Sequence, residues 1–324
     1  METKKNVTIE RIVKLEDIGN KLKKEMAELR REPAVILYHP SRLPKSSEFN
    51  ELFMISEGHA VEHDIRASAD KEYSIQQGMF TDRLKAWESV NTIEKFIDVF
   101  GAERSKELME LVKERAKSTD QPSMDTIKKN LFVKDLKLTE LQKFAAIGGE
   151  EILGMGQFLN LYENAIKGSN KPGKLSVDIK DGDLTLSGSI DKAIEATKVF
   201  MEEIKVRKLT DNLYMVMQYN VPALENSIKL FDNIGVPSVG IISSDLIKKE
   251  GETAFAQYAS MLVNNHGAKW IGTKSTELKI VEELITVKKP NMMVYVPPKE
   301  SSDISYLVTL LRDYPSVKAL QIDA

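Results

Sequence analysis

Five short apolar segments alternate with helix-length stretches in the last third of the chain, and this alternation constrains the fold more than any other feature. The segments are 213–217, 238–242, 270–272, 292–296 and 319–322. Nearly continuous apolar strands are buried on both faces, and right-handed crossovers place the intervening helices on those faces. The pattern therefore predicts an α/β fold whose C-terminal domain is doubly wound, with a mainly parallel five-stranded sheet and helices on both faces.

The region before residue 168 has mainly helical periodicity. Its apolar residues recur three and four positions apart from 15 to 29 and again from about 51 to 167, and a short strand-forming run at 34–38 lies between these stretches. A complete eight-stranded barrel would need strands that this helical region does not offer. We therefore expect a mostly helical N-terminal region with one short strand, and no barrel.

Consecutive turn-forming residues at 168–173 give the strongest boundary signal in the chain. This signal divides the chain into a mostly helical domain at 1–168 and an α/β domain at 169–324. Apolar and polar residues alternate at 175–179 and again at 184–186, and Asp181 and Gly182 supply a turn between them. The α/β domain is therefore expected to begin with a β-hairpin.

The composition excludes several classes of protein. Lys and Arg total 46 against 49 for Asp and Glu, and the net charge of -3 provides no global field that attracts nucleic acid. Cysteine is absent, which excludes disulfides and thiolate catalysis. No apolar run approaches the roughly 18 to 20 residues that span a bilayer, and the first residues lack the apolar core of a signal peptide. We expect a cytoplasmic protein without a nucleic-acid or membrane partner.

The segment from His59 to His63 matches the pattern H-x-x-E-H. On a helix, this spacing places two imidazoles one turn apart, where both can bind one zinc ion. Short motifs of this kind also arise by chance, and the alternative is a solvated polar face of a helix. His59 and His63 are therefore the candidate metal ligands.

Hydroxyl, ammonium and carboxylate groups follow the second and third of the predicted C-terminal strands. In open α/β sheets, ligands bind beyond the carboxyl ends of the strands, where helix N-termini favour anions. The ligand-binding candidates are Ser243, Ser244, Thr273, Ser275 and Thr276, and the catalytic candidates are Asp245 and Lys274. Asp245 can accept a proton, and Lys274 can neutralise a phosphate or a carboxylate. The alternative is that the hydroxyl groups only cap the following helices.

These patterns lead to two functional hypotheses. The first is a soluble enzyme or binding protein that holds a small anionic metabolite, phosphorylated or carboxylated, at the carboxyl ends of the α/β strands. No dinucleotide-binding, P-loop or nucleophile-elbow motif occurs, so the reaction and the cofactor stay unassigned. The second is a non-catalytic self-assembling protein, such as a virion or shell subunit, with contacts made by the amphipathic segment 15–29, the extended segment 40–44 and the hairpin. We expect self-association into homo-oligomers.

Overall fold

The computed structural model describes the chain in separate stretches. They are residues 17–28, 34–39, 59–70, 72–75, 84–167, 173–182, 189–284 and 289–323. The extended segment 40–44 and the second arm of the predicted hairpin, 184–186, lie outside the described residues.

The central element of the fold is a parallel β-barrel. The described strands are β1 Val35–His39, β2 Ala60–Ala67, β3 Tyr73–Ile75, β4 Leu153–Gly154, β5 Lys174–Ile179, β6 Leu213–Gln218, β7 Ser238–Ile241, β8 Trp270–Lys274, β9 Asn291–Val296 and β10 Val317–Asp323. Hydrogen bonds connect them in the order β1-β10-β9-β8-β7-β6-β5-β2-β3-β4, and β1 also pairs with β2 in parallel. This additional pairing closes eight strands into a barrel, while β3 and β4 extend the sheet from β2 by antiparallel pairing.

The mainly parallel α/β class is confirmed, but the expected five-stranded doubly wound sheet is wrong. All five C-terminal segments form strands, and neighbouring strands from β6 to β10 pair in parallel. The sheet continues beyond them through β5 on one side and through β1 and β2 on the other. β2 escaped the sequence prediction because Glu62, His63, Asp64 and Arg66 interrupt its apolar pattern, although all four are buried.

The predicted hairpin is also wrong in its pairing. Its first arm is β5, which lies parallel to β6 on one side and next to β2 on the other. Both edges of β5 are therefore occupied by other described strands. Asp181 and Gly182, the predicted turn, belong to a 3-10 helix, Lys180–Gly182. Local alternation identified the strand but not its partner, because parallel neighbours are distant in sequence.

Helices connect the barrel strands and also form a separate layer. The described helices are α1 17–28, α2 Ala86–Ser89, α3 Ile93–Phe100, α4 Ala102–Ala116, α5 Met124–Asn130, α6 Leu138–Ile147, α7 Met155–Lys167, α8 Ile190–Val206, α9 Val221–Phe231, α10 Asp245–Glu250, α11 Glu252–Asn264, α12 Leu278–Leu284 and α13 Ile304–Asp313. The other 3-10 helices are Val133–Asp135, Thr210–Asn212, Asp232–Ile234 and Ser275–Glu277. None of these described helices is long and apolar enough to cross a membrane.

Contacts divide the chain into two compact units. The first contains Met1–Ser41, Glu48–His63 and Leu161–Ala324, and the second contains Arg42–Ser47 and Asp64–Asn160. The first unit thus combines β1 and the beginning of β2 with the strands from β5 onward. The boundary at residue 168 stays a prediction. The helical periodicity of the N-terminal region is present as α2 to α7.

Alternate residues of the barrel strands form two different apolar clusters. Inside the barrel lie Leu37, Ala60, Met215, Met217, Val239, Met293 and Ala319. Residues between these positions, such as Ile36, Met292 and Leu320, belong to a second cluster that is shared with the helices. Because successive side chains of a strand point to opposite faces, the two clusters identify which positions face the barrel interior.

Helix α1 docks on the outer cluster. Ile18, Leu22 and Met26 are buried there, so the amphipathic stripe predicted at 15–29 packs against the chain's own core. A Cβ at Gly19 would lie 2.7 Å from His59 Nε2, and the absence of a side chain allows the helix to approach the residue before β2. The apolar face of this helix is thereby covered within the molecule.

The second unit has a core of its own. Trp87 and Phe144 make an edge-to-face contact at 4.7 Å between ring centres, and Trp87 also stacks on Phe96. The Arg115 guanidinium pairs with both carboxylate oxygens of Asp135, whose side chain is 5% exposed. Aromatic packing and a bidentate ion pair therefore hold the helical layer together.

Candidate functional site

The carboxyl end of β1 and the part of β2 at the same level carry polar side chains on the inner face of the barrel. Leu37 and Ala60 are paired across these strands, and both belong to the interior cluster. Two-residue alternation therefore places His39 of β1, and Glu62 and Asp64 of β2, on the same inner face. Strand pairing thus brings one imidazole and two carboxylates together at the rim.

These three side chains form a compact group of potential metal ligands. His39 Nε2 lies 3.4 Å from Glu62 Oε2, and one ligand atom from each of His39, Glu62 and Asp64 lies within 4.8 Å of the others. Glu62 is fully buried, Asp64 is 2% exposed, and 22% of the His39 side chain is exposed. Buried carboxylates at this spacing repel each other and lose hydration, so a positive charge among them stabilises the ionised pair.

A second polar cluster lies at the ends of β5 and β6. Lys180 Nζ donates hydrogen bonds to Asp178 Oδ2 at 2.5 Å and to the Tyr219 hydroxyl at 2.7 Å. The Tyr219 hydroxyl donates to the same oxygen of Asp178 at 2.7 Å. The Asp178 side chain is 4% exposed, whereas that of Lys180 is 20% exposed. The cluster therefore holds an ammonium group near the surface above a buried carboxylate.

At the end of β8, a hydroxyl and a backbone N–H are placed as they would be to bind an anion at the start of a helix. Both already donate hydrogen bonds to a carboxylate of this chain. Thr273 Oγ1 donates to Glu277 Oε2 at 2.7 Å, and the Lys274 backbone N–H donates to the same oxygen at 3.0 Å. Glu277 is buried. The predicted ligand donors at Thr273 and Lys274 thus form an internal cap, which favours the capping interpretation for this backbone segment.

The side chain of Lys274 has a different environment from its backbone. A Cβ at Gly272 would meet Ile241, Val239 and Met293, which line the barrel interior. Lys274 lies two residues further along β8, so its side chain leaves the strand on the same inner face, and it is exposed. An ammonium group at the rim is therefore compatible with the anion contact predicted for Lys274.

Ser243, Ser244 and Asp245 follow β7 and lead into α10, as the sequence predicted. The Asp245 N–H donates to Ser243 Oγ at 3.2 Å, and the Asp245 carboxylate accepts from Lys248 Nζ at 2.9 Å. Lys248, and more weakly Lys274, lower the pKa of Asp245, whose side chain is half exposed. Asp245 therefore has the environment of a surface ion pair.

Ser275 and Thr276 belong to the 3-10 helix that follows β8. Ser275 is buried and Thr276 is exposed. The strands that precede the two predicted groups, β7 and β8, are parallel neighbours in the barrel. The sequence therefore placed Ser243 to Asp245 and Thr273 to Thr276 at adjacent strand ends.

The zinc site predicted for His59 and His63 assumed a helix, and that assumption is wrong. His59 directly precedes β2 and His63 lies within it, so an extended chain of about 13 Å separates their backbones instead of one helical turn. His59 Nδ1 accepts a hydrogen bond from the Ile36 N–H at 3.3 Å. Burial, assisted by the charge of Lys23, lowers the pKa of His59 to about 4. Without a helix, the two imidazoles are not held one turn apart, and the reason for predicting a zinc site at His59 and His63 no longer applies.

Sequence reasoning did not recognise His39, Glu62 and Asp64 as one site, although two signals were present. His39 directly follows the predicted strand at 34–38, which makes it a carboxyl-end residue. Glu62 and Asp64 are two residues apart, the spacing that places both on one face of a strand. Interpreting the segment as a helix concealed this alternation.

Comparison with known proteins identifies a fold. No protein-family model matches the sequence, and no curated protein matches it. A protein from Silicibacter pomeroyi DSS-3, assigned by name to the glycerophosphoryl diester phosphodiesterases, has a similar structure with a TM-score of 0.54 at 12% identity, over 92% of this chain and 93% of that chain. A phosphodiesterase from Oleispira antarctica, solved in complex with the product sn-glycerol-3-phosphate, has a TM-score of 0.51 at 12% identity, over 89% and 92% of the two chains. At these identities the similarity shows a common fold.

Proposed function

We propose that the protein is a phosphodiesterase that depends on a divalent cation and hydrolyses small glycerol-type phosphate diesters at the carboxyl-end rim of the barrel. The observation that carries this proposal is the group formed by His39, Glu62 and Asp64. Active sites of α/β barrels lie at this rim. The names of the two similar structures, one of which holds sn-glycerol-3-phosphate, direct the choice of substrate class.

The residues at β1 and β2 fit a cation that prefers oxygen ligands. Carboxylates are the preferred ligands of Mg²⁺, Ca²⁺ and Mn²⁺. Ligand atoms that lie within 4.8 Å of one another are compatible with a common ion at about 2.0 to 2.6 Å from each. Glu62 and Asp64 would hold the ion, with His39 at the edge of the group. When bound, such an ion polarises a phosphoryl oxygen and acidifies a water molecule.

Lys180 and Lys274 are the candidates for binding the negative charge of the phosphate. Lys180 directly follows β5, and Lys274 is the last residue of β8. An ammonium group stabilises a phosphate as a point charge, without the fixed geometry of a guanidinium. The anion contact predicted for Lys274 is part of this proposal. The roles predicted for Asp245 and the neighbouring hydroxyl groups stay predictions.

His39 is the candidate for proton transfer. Its imidazole is partly exposed, and Nε2 lies 3.4 Å from Glu62 Oε2 at the edge of the cluster. An imidazole is the side chain that most readily exchanges a proton near neutral pH. Water attacks phosphorus, the bond from phosphorus to the alcohol oxygen breaks, and His39 donates its proton to that oxygen. The attacking water releases its proton to solvent, and the products are an alcohol and a phosphomonoester.

The test is a hydrolysis assay with a glycerophosphodiester and Mg²⁺, Mn²⁺, Ca²⁺ or EDTA, in which the released alcohol is measured. We expect activity with at least one of these cations, none in EDTA, and a large loss in the Glu62→Gln variant. Glu202→Gln is the matched control, because it makes the same chemical change on the exposed face of α8. Activity that persists in EDTA, or that is equal in both variants, would contradict the proposal.

The alternative of a self-assembling shell subunit receives no comparable support. Two of its contact features, 40–44 and 184–186, lie outside the described residues. The third, the apolar stripe of α1, is covered by the chain's own core. Assembly also gives no reason for a buried group of two carboxylates and a histidine, whose desolvation is costly. Self-association and a cytoplasmic location stay predictions.

A further inference from the structure

We propose that Tyr219 is a positioning residue that fixes the Lys180 ammonium, so that Asp178, Lys180 and Tyr219 act together as one phosphate-binding subsite. The inference rests on the proposed function for the nature of the ligand. It extends that function by assigning a role to a phenol that takes no part in the cation group.

The three polar atoms of the subsite form a closed triangle. Its sides are 2.5 Å from Lys180 Nζ to Asp178 Oδ2, 2.7 Å from Lys180 Nζ to the Tyr219 oxygen, and 2.7 Å from that oxygen to Asp178 Oδ2. Each group therefore contacts the other two, and all three of these contacts involve a charged partner. Such charge-assisted hydrogen bonds are stronger than neutral ones.

Tyr219 gives the Lys180 ammonium a fixed point in addition to Asp178. A lysine has a flexible four-carbon stem, and a single carboxylate leaves its direction poorly defined. The Tyr219 hydroxyl accepts from Lys180 Nζ, and the ring centre lies 5.1 Å from the same nitrogen. Fixing the ammonium before a ligand arrives reduces the entropy lost on binding.

The register of the barrel places Asp178, the buried carboxylate of this subsite, on the inner face. Asp178 is paired with Met217, which belongs to the interior cluster, and paired residues of neighbouring strands face the same side. Lys180 and Tyr219 directly follow β5 and β6, and both contact the Asp178 carboxylate. Because Asp178 is almost fully buried while Lys180 is partly exposed, a ligand at the rim meets the ammonium rather than the carboxylate.

The subsite also lies next to the strand that carries Glu62. β5 and β2 are adjacent in the barrel, so the ends of these two strands are neighbours. A phosphate diester has one negative charge and several oxygens, and one oxygen can face a cation while another faces Lys180. This placement favours a phosphate group as the ligand.

The experiment measures binding of inorganic phosphate and of sn-glycerol 3-phosphate by calorimetry in EDTA, without the cation. We expect the Tyr219→Phe variant to bind both about tenfold more weakly, because a hydrogen bond to a charged group is lost. Tyr214→Phe is the matched control, since Tyr214 lies at the other end of β6 and packs against Trp270. Melting curves confirm that each variant is folded.

A double-mutant cycle separates positioning from a merely structural role. If Tyr219 acts through Lys180, the Tyr219→Phe change has no further effect on a Lys180→Met background. We also expect the loss of phosphate affinity at alkaline pH to occur at lower pH in Tyr219→Phe, because the charged ammonium has lost an acceptor. If the substitution only loosened the fold, the pH at which phosphate affinity is lost would not change.

The outcomes distinguish this inference from the proposed function. Phosphate binding with the expected coupling, but without hydrolysis of diesters, supports the subsite and overturns only the proposed reaction. Hydrolysis with unchanged phosphate affinity in Tyr219→Phe, or additive effects of the two substitutions, overturns the inference alone. Absence of phosphate binding by the unmodified protein also overturns it.

Discussion

The end of β8 and the neighbouring strands β1 and β2 both carry polar side chains, but these side chains interact in different ways. At the end of β8, Thr273 and the Lys274 N–H both donate to Glu277, so one carboxylate of the chain satisfies the donors. At the end of β1, the carboxylates of Glu62 and Asp64 from the adjacent β2 lie beside the imidazole of His39. The first arrangement is an internal helix cap, whereas the second is a group of carboxylates that a bound cation would stabilise. The hydrogen bonds of Glu277 therefore identify a helix cap that residue types alone do not reveal.

The largest expected effect concerns the carboxylates of β2. Replacing both in a Glu62→Gln, Asp64→Asn variant is expected to reduce hydrolysis by about 10³-fold or more, since even groups that only support metal ligands contribute about 10- to 100-fold. The measurement is the rate of alcohol release at saturating cation. An effect below tenfold would place the reaction away from this end of the barrel.

The next effect tests whether a loss of activity at low pH comes from the reaction at the barrel rim or from a loss of folding stability. Folding lowers the pKa of His59 from 6.5 to about 4, so between these values the unfolded chain binds a proton that the folded chain does not. The stabilisation is complete above about pH 7 and is lost as the pH falls towards 4, with a total of about 3 kcal/mol. Urea unfolding at pH 7, 5.5 and 4.5 measures this loss.

The His59→Gln variant is the control for this titration. It lacks the group that charges, so its stability should change less over the same pH range. If both proteins lose stability equally, another group is responsible. If hydrolysis declines at a pH where the fold is still stable, the acid sensitivity belongs to the reaction.

A smaller effect is expected at the cap that follows β8. Glu277→Ala leaves the buried Thr273 hydroxyl and the Lys274 N–H without their acceptor and should lower the free energy of unfolding by about 2 kcal/mol. Glu283→Ala, which removes only an exposed partner of Lys279, should change it by less than about 0.5 kcal/mol. Urea unfolding compares the two. Equal stabilities would show that Glu277 is not the cap inferred above.

The smallest effect concerns the side chain of Lys274. The Lys274→Met variant is expected to raise KM for the diester about fivefold, because an exposed ammonium contributes about 1 kcal/mol to binding an anion. Its stability should not change, in contrast to that of Glu277→Ala. Unchanged kinetics would assign the end of β8 to the fold alone.

The sequence predicted a large part of the fold from local periodicity. Strands β6 to β10, the strand at 34–38 and the helical layer all follow from the spacing of apolar residues. The barrel could not be predicted because β2 carries four buried polar residues, and burial of such residues depends on partners from distant parts of the chain. Closure likewise depends on the pairing of β1 with β2, which no local pattern encodes.

The candidate site shows the same limit. Residues Thr273 to Thr276 were located correctly at a strand end, but their sequence does not reveal that Glu277 turns back to accept from Thr273. Conversely, Glu62 and Asp64 are apparent as a pair only when residues 60–67 are known to be a strand. Asp178 and Tyr219 are 41 residues apart, and parallel pairing alone brings them together.

The most direct test of the central claim is to locate the cation. Crystals grown with Mn²⁺ and measured at its absorption edge give an anomalous peak at each bound ion. The account predicts a peak within coordination distance of Glu62 and Asp64, next to His39, in the unmodified protein and its loss in Glu62→Gln. A protein that is active with Mn²⁺ but shows its peak elsewhere, or no peak at all, would contradict the account.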